Sequence, residues 1–295
     1  MAESYPNPEV AWHAEYNAAN VDYDEIAIRV PNFTGNATSL SGGLANDTFR
    51  LGEEQVLRIY RRDPLSLVRE RELLSRSWSS FRVPRVLDHG SDFLLLEYVP
   101  HAPLENTAEQ GDAVGRALGE IHQTTFDGCG LFGDAIELQQ RWDDFVDQIG
   151  EVIASHVESF SAHTELFRDA ADFVMERKSM LDERSENGVL LHGDFKPTNL
   201  HWASDGRLLV LDWEFTYAGL RFMDIGQLVR FGCPEPFRES FVDAYTASGS
   251  DLPTDWEARS RVFDLVNLVG LLRNSKRQSR CAQDCRQRIE DTLRA

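Results

Sequence analysis

The densest run of chemically capable residues is His192-Gly193-Asp194-Phe195-Lys196-Pro197-Thr198-Asn199, followed beyond an Asp205-Gly206 turn by Leu211-Asp212-Trp213-Glu214. Asp194 with a lysine two residues on and an asparagine five on offers a carboxylate, a cation and an amide oxygen on one loop. A second carboxylate, Asp212, follows 18 residues later at the end of an apolar strand. Oxygen donors from two adjacent loops suit a hard cation such as Mg²⁺, with Asn199 and Asp212 as its candidate ligands. Asp194 is then left to handle a hydroxyl proton. This division of labour is that of phosphoryl transfer, in which a base Asp, an Asn five residues on and an Asp after the next hairpin act together. An Asp-Gly hairpin with solvated carboxylates explains neither the offsets of the His, Lys and Asn nor the spacing. Lys178, Lys196 and Lys276 are the only lysines among 30 basic residues, so the place of Lys196 is informative.

Two further runs belong with this one. Leu40-Ser41-Gly42-Gly43-Leu44-Ala45-Asn46 puts two glycines between strands, where backbone can approach a ligand closely and exposed N–H groups favour phosphate. Alone, such a Gly-Gly turn is an ordinary hairpin. It is neither G-x-G-x-x-G nor G-x-x-x-x-G-K-S/T, which disfavours dinucleotide-binding and P-loop enzymes. In Val56-Leu57-Arg58-Ile59-Tyr60, Arg58 stands where a kinase strand carries its phosphate-binding lysine, and residues 1–177 contain no lysine. A guanidinium can grip phosphate bidentately. Its carboxylate partner on the next helix is expected to be Glu72, with Glu70 as the alternative, since one helical turn cannot aim both at the same place.

These runs resemble the aminoglycoside phosphotransferase and choline-kinase superfamily of small-molecule kinases, which are similar in fold to eukaryotic protein kinases. The family's H-G-D-x-x-x-x-N loop is matched by His192-Gly193-Asp194 and Asn199. Its I-D-W/F-E strand end is matched by Leu211-Asp212-Trp213-Glu214, and its L-x-G-G-x-x-N turn by Leu40, Gly42, Gly43 and Asn46. The resemblance spans about residues 33–280. It implies an α+β, two-lobed, protein-kinase-like fold and transfer of the γ-phosphoryl group of ATP, or alternatively GTP, to a small-molecule hydroxyl. Gly42, Gly43 and Asn46 would cover the nucleotide, Arg58 orient it, and the main-chain groups of Glu97 and Val99 receive the adenine at the hinge. Asn199 and Asp212 would hold Mg²⁺, Lys196 stabilise the transferring group, and Asp194 align the acceptor hydroxyl. Asp224 and His192 would brace the loop, with Glu214 a lesser candidate for metal or acceptor contact. Arg58 in place of lysine is the main departure. H-G-D rather than H-N-D, together with Gly219 and Asp224-Ile225-Gly226, resembles the antibiotic-kinase branch. Choline or ethanolamine, homoserine and sugars are the alternative acceptors. No A-P-E-like segment follows Asp212, which disfavours a protein substrate. A non-catalytic nucleotide-binding regulator is the reading of a different class, since fold does not fix function.

The elements that must position these residues fall into three parts. Residues 1–30 read as an N-terminal extension packed on the body. Residues 31–99 are mostly β, with one helix opening at Asp63-Pro64 and apolar at Leu65, Val68, Leu73 and Leu74. Residues 100–295 are mainly helical. Val114, Ala117, Leu118 and Ile121 mark one helix and Leu138 to Ile149 another; two short apolar strands, at 188–191 and 208–211, carry the catalytic loops. A small β-rich lobe before a larger helical one places the ligand cleft between them.

The chain has 295 residues, with 49 acidic against 30 basic, a net charge of −19. With 42% hydrophobic residues it can build a core. The charge argues against nucleic acid and anionic membranes as partners. The acidity is concentrated. Residues 101–250 hold 27 acidic and 11 basic residues, net −16, and Asp143, Asp144, Asp147 and Glu151 share one predicted helix. That favours a cationic small-molecule acceptor. Four cysteines are too few for a disulfide scaffold and read as free thiols. The N-terminus lacks a signal-peptide pattern, so the expectation is a cytoplasmic monomer or homodimer.

Overall fold

In the computed structural model, which describes residues 8–14, 21–40, 46–157, 163–181, 187–249, 251–275 and 279–295, two helices open the chain: α1 (Pro8–Ala14) and α2 (Tyr23–Arg29). The N-terminal lobe is a five-stranded antiparallel sheet of β1 (Ala37–Ser39), β2 (Asn46–Leu51), β3 (Gln55–Tyr60), β4 (Val86–His89) and β5 (Phe93–Glu97). Its spatial order is β1-β2-β3-β5-β4. Alternation along β3 sends Leu57 and Ile59 to the outer face, where they pack with Phe49, Leu51, Leu95 and Ile26 of α2. Arg58 and Tyr60 therefore face the cleft. The first thirty residues thus divide: α2 closes the sheet, while α1 lies against the far end of the chain.

The helix α3 (Pro64–Leu74) connects β3 to β4, with Asp63 as its N-cap accepting a hydrogen bond from the Leu65 N–H. Its buried face carries Leu67, Glu70, Leu73 and Leu74, whereas Leu65 is 40% exposed. The apolar stripe expected to begin at Leu65 is displaced because a carboxylate, Glu70, takes a place on the inner face. A buried carboxylate there is tolerable only because Arg58 meets it.

After β6 (His101–Pro103), α4 (Ala108–His122) buries Val114, Ala117, Leu118 and Ile121. A small sheet gathers β7 (Thr125–Phe126), β8 (Gly130–Phe132), β9 (Leu138–Arg141), β10 (Gly188–Leu191) and β13 (Tyr217–Gly219), in the order β7-β10-β13-β8-β9. The strand β9 begins at Leu138, where the sequence reads as helix; the helix α5 (Phe145–Ser155) starts only after the Asp144 cap. It is followed by α6 (Thr164–Glu176) and α7 (Lys178–Leu181). A three-stranded sheet joins β6 to β11 (Leu200–Ala203) and β12 (Leu208–Val210). Four helices finish the chain: α8 (Phe222–Val229), α9 (Glu235–Ala247), α10 (Trp256–Asn274) and α11 (Arg280–Arg294). The helices α4 and α9 pack so closely that a Cβ at Gly111 or Gly115 would lie 2.2 or 2.4 Å from a carbonyl oxygen of α9. The four cysteines are free. No helix among the described residues is long and apolar enough to cross a membrane.

Candidate active site

The strand β10 ends at Leu191, and the backbone turns at Gly193 with φ +80°. Glycine is needed there twice over: the angle is left-handed, and a Cβ would sit 2.1 Å from the Phe215 carbonyl oxygen. The loop is braced from behind. The Asp224 carboxylate accepts hydrogen bonds from the N–H groups of His192 (2.8 Å) and Gly193 (2.9 Å), and the Gln227 amide donates to the Gly193 carbonyl (2.9 Å). The His192 Nε2 lies 3.0 Å from the Leu211 carbonyl, while its Nδ1 lies 3.2 Å from the Asp194 N–H. A carbonyl only accepts and an N–H only donates, so these partners assign the proton to Nε2. Burial pushes the His192 pKa down, which keeps this ring neutral. It is a strut rather than a proton carrier. His122, also buried, hydrogen-bonds Tyr245 (2.7 Å) and reaches Asp224 (3.3 Å).

Within the loop, the Asp194 Oδ2 accepts from Lys196 Nζ (2.9 Å) and Asn199 Nδ2 (2.9 Å), and Asn199 Nδ2 also reaches the Asp194 carbonyl (2.8 Å). Both donors engage the same carboxylate oxygen, Oδ2. Burial works against the charge on Lys196, but Asp194 outweighs it and holds the ammonium above its usual range. The spacing of 18 residues has a plain origin. Strands β11 and β12 form a hairpin turned at Asp205-Gly206, and the Leu211 N–H donates to the Asn199 carbonyl (3.0 Å). The chain that leaves at Asn199 is thus returned beside it at Asp212. Asp212 itself is left-handed, φ +68°, a conformation that Asp tolerates better than most residues.

Across the cleft, Arg58 is 7% exposed and touches three carboxylates: Glu70 (3.0 Å), Glu214 (3.1 Å) and Asp212. Burial raises the Asp212 pKa, but Arg58 more than offsets it and holds the carboxylate ionised. Glu214 has no such surplus. Burial, then Asp212, push it up to about 8. Its Oε2 accepts from the Asn46 amide, so Asn46 ties the β2 strand to the segment after Asp212. The Tyr60 hydroxyl donates to Glu70.

The expected partner of Arg58 on α3, Glu72, is corrected. Glu72 bonds Arg76 (2.8 Å) and the Ile136 N–H (3.1 Å), while Glu70 meets Arg58. Two residues along a helix is a rotation of about 200°, so only one of the pair faces the sheet. Gly42 and Gly43 lie outside the described residues. At the hinge, the Glu97 N–H donates to the Arg85 carbonyl (2.9 Å) and the Val99 carbonyl accepts from His101 Nδ1 (2.6 Å). Sequence reasoning missed Tyr60, Gln227, Arg230 and Glu9. Gln227 lies one turn beyond Asp224 on α8 and was findable from that spacing; Glu9 carries no local signal.

The donors suit Mg²⁺ and a nucleotide. Asn199 commits its amide N–H group to Asp194 and keeps its carbonyl oxygen, beside the ionised Asp212. Arg58 Nε is buried without a hydrogen-bond partner among the described residues, a place a phosphate oxygen would fill. No cluster of three or more His, Cys, Asp or Glu side chains that could hold a metal occurs among the described residues. A cavity of about 500 Å³ adjoins Glu214 and Phe215, lined by the apolar side chains of Leu65, Leu131 and Phe132.

The sequence matches the model of the phosphotransferase enzyme family over residues 36–262. Together with the two-lobed fold and the loop just described, this defines a small-molecule kinase. The chain belongs to the phosphotransferase enzyme family. Among solved structures it is similar to a protein assigned as a fructosamine-3-kinase from Thermobifida fusca, with TM-score 0.66 and 19% identity over 92% of this chain and 99% of that one. It is also similar to aminoglycoside phosphotransferase APH(2")-IIa in complex with gentamicin, with TM-score 0.61 and 17% identity over 93% and 96%. A macrolide 2'-phosphotransferase, MphH from Brachybacterium faecium, gives TM-score 0.62 and 15% identity over 90% and 96%. At these identities the likeness speaks for the fold. No curated protein sequence matches it.

Proposed function

We propose that this enzyme transfers the γ-phosphoryl group of ATP to a hydroxyl of a small molecule carrying an apolar face, with an amine-bearing acceptor favoured. One observation carries the reaction: the Asp194 carboxylate is fixed through Oδ2 by Lys196 and Asn199, with Asp212 returned beside Asn199. Asn199 and Asp212 would hold Mg²⁺, which when bound offsets the charge on the nucleotide phosphates. Asp194 orients the acceptor hydroxyl, and its Oδ1 takes the proton as the acceptor oxygen bonds to phosphorus. The bond from that phosphorus to the leaving ADP oxygen breaks in the same displacement. Lys196 Nζ, 2.9 Å from Asp194 Oδ2, is placed to follow the charge on the transferring group. Fixed charges of this kind act mainly by positioning and electrostatics.

The acceptor reading rests on two features. The cavity beside Phe215 presents Leu65 and Leu131 to solvent at 40% and 43% exposure, which suits an apolar face of the acceptor. The −16 charge of residues 101–250 favours an amine. That support is narrower than the sequence suggests, because Asp144 and Asp147 of the acidic helix both hold Lys178 at 2.6 Å. A coupled assay of ADP release with Mg-ATP tests the proposal across aminoglycosides, macrolides, fructosamines, choline, homoserine and sugars. Turnover with an amphipathic amine is the expected result. Nucleotide binding with no turnover on any of them would favour a non-catalytic regulator.

A further inference from the structure

The catalytic loop has a support that the family match does not contain, because that match starts at residue 36 and the support comes from α1. Glu9 is 2% exposed, buried beside Arg230 and Asp264. The guanidinium of Arg230 forks onto Asp264 through Nε and Nη2 (2.8 Å each) and gives Nη1 to Glu9 Oε1 (2.7 Å). The Arg230–Asp264 fork is already a complete, neutral pair. Glu9 brings a second buried carboxylate to the same guanidinium, and burying it there needs a further reason. The second oxygen of Glu9 supplies one: Oε2 accepts from the Thr198 hydroxyl at 3.3 Å. Thr198 lies between Lys196 and Asn199, the two residues that grip Asp194. The Glu9 charge also acts on Lys196, in the same sense as Asp194.

The helix α8 gives the pattern. Asp224, Gln227 and Arg230 recur every three residues and so share a face. Asp224 and Gln227 touch the loop directly at 192–193. Arg230 is one turn farther along, and among the described residues its hydrogen bonds lead to the loop through Glu9.

We propose that Glu9 is a positioning residue: α1 is latched between Arg230 and Thr198 and sets the placement of Lys196 and Asn199. The helix is held there independently by Trp12, whose indole N–H donates to Asp284 (2.8 Å) and whose ring meets Phe231 edge-on. A displacement of about 1 Å in reacting groups can cost a hundredfold in rate. The latch therefore acts on kcat more than on nucleotide affinity.

The test uses the full chain and two readouts. Hydrogen–deuterium exchange over residues 192–200 is expected to rise about tenfold in Glu9→Gln and in Thr198→Val. Mg²⁺-dependent ATP hydrolysis should lose about tenfold or more in kcat in each, with the KM for ATP within about twofold. The double variant should be no worse than either single one, because both cut the same link. Trp12→Phe drops the Asp284 bond but leaves the Glu9 bonds to Arg230 and Thr198; it should lower Tm and cost clearly less kcat than Glu9→Gln. Wild-type exchange and kcat in Glu9→Gln and Thr198→Val, additive losses, or an equal kcat loss in Trp12→Phe would each overturn the latch. Absence of ATP hydrolysis in the wild type would instead count against the phosphotransferase reading, and the exchange data would still decide the latch.

Discussion

The two walls of the cleft hold their charges by different means. On the helical side, Asp194, Lys196 and Asn199 lie within six residues and are arranged by one glycine, one 3₁₀ turn and one hairpin. On the sheet side, Arg58 is met by Glu70 from α3 and by Asp212 and Glu214 from the segment after β12, more than 150 residues away, and Asn46 reaches Glu214 across 168 residues. The first arrangement is made by short-range bonds and braced from outside by Asp224 and Gln227. The second exists only while the lobes are docked. Loss of a group from the helical wall should remove chemistry and leave the fold. Loss from the sheet wall should remove stability first.

The largest expected effect is on the helical wall. Asp194→Asn should cut phosphoryl transfer by about 10²–10⁴-fold with a near-wild-type Tm, measured by coupled ADP release and thermal unfolding. A matching fall in Tm would erase the contrast between the walls. Next is Glu70→Ala, which takes one of three carboxylates from Arg58 and leaves the buried Tyr60 hydroxyl without its acceptor, and should cost about 1–3 kcal/mol of stability, read by urea unfolding. Glu72→Ala, half-buried on the other side of the same helix, gives up its bonds to Arg76 and the Ile136 N–H and should cost less, about 1 kcal/mol. Equal effects would restore the pairing expected from sequence. Gly193→Ala sits between the two classes. The left-handed angle alone costs about 1–2 kcal/mol, and the clash with the Phe215 carbonyl adds to it, so both Tm and kcat should fall.

The smallest effect is a pH slope. Burial, with His101 beside it, pushes the His201 pKa down to about 4, against about 6.5 in an unfolded chain. Between those values the unfolded state binds a proton that the folded state does not. The contribution is therefore full above about pH 6.5 and is lost as pH falls toward 4, at up to about 1.4 kcal/mol per unit. His201→Gln should flatten the dependence of Tm on pH in that window; an unchanged slope would remove His201 as its source.

Legibility followed the same division. The loop 192–199, the hairpin and Asp212 were readable because their relations are short-range, and hydrogen bonds between near neighbours leave a spacing in the sequence. The α3 helix was readable as a helix but not in its facing. Leu65 has the hydrophobicity of a core residue and Glu70 that of a surface one, yet their places are exchanged because Arg58 neutralises Glu70. Asp144 and Asp147 looked like an open acidic face and instead hold Lys178.

The amino-acid sequence by itself determined the class of reaction, because hydroxyl activation and metal binding demand particular groups at fixed short offsets. It also determined the two-lobed order, because a mostly β segment precedes a mainly helical one. Only the tertiary structure decided which glutamate meets Arg58 and that Glu9 stands behind Thr198. It also decided that a cavity opens at Phe215. Those outcomes depend on which distant charges share a dry volume, and the cost of burying a charge is settled by its partners in space rather than by its neighbours in the chain.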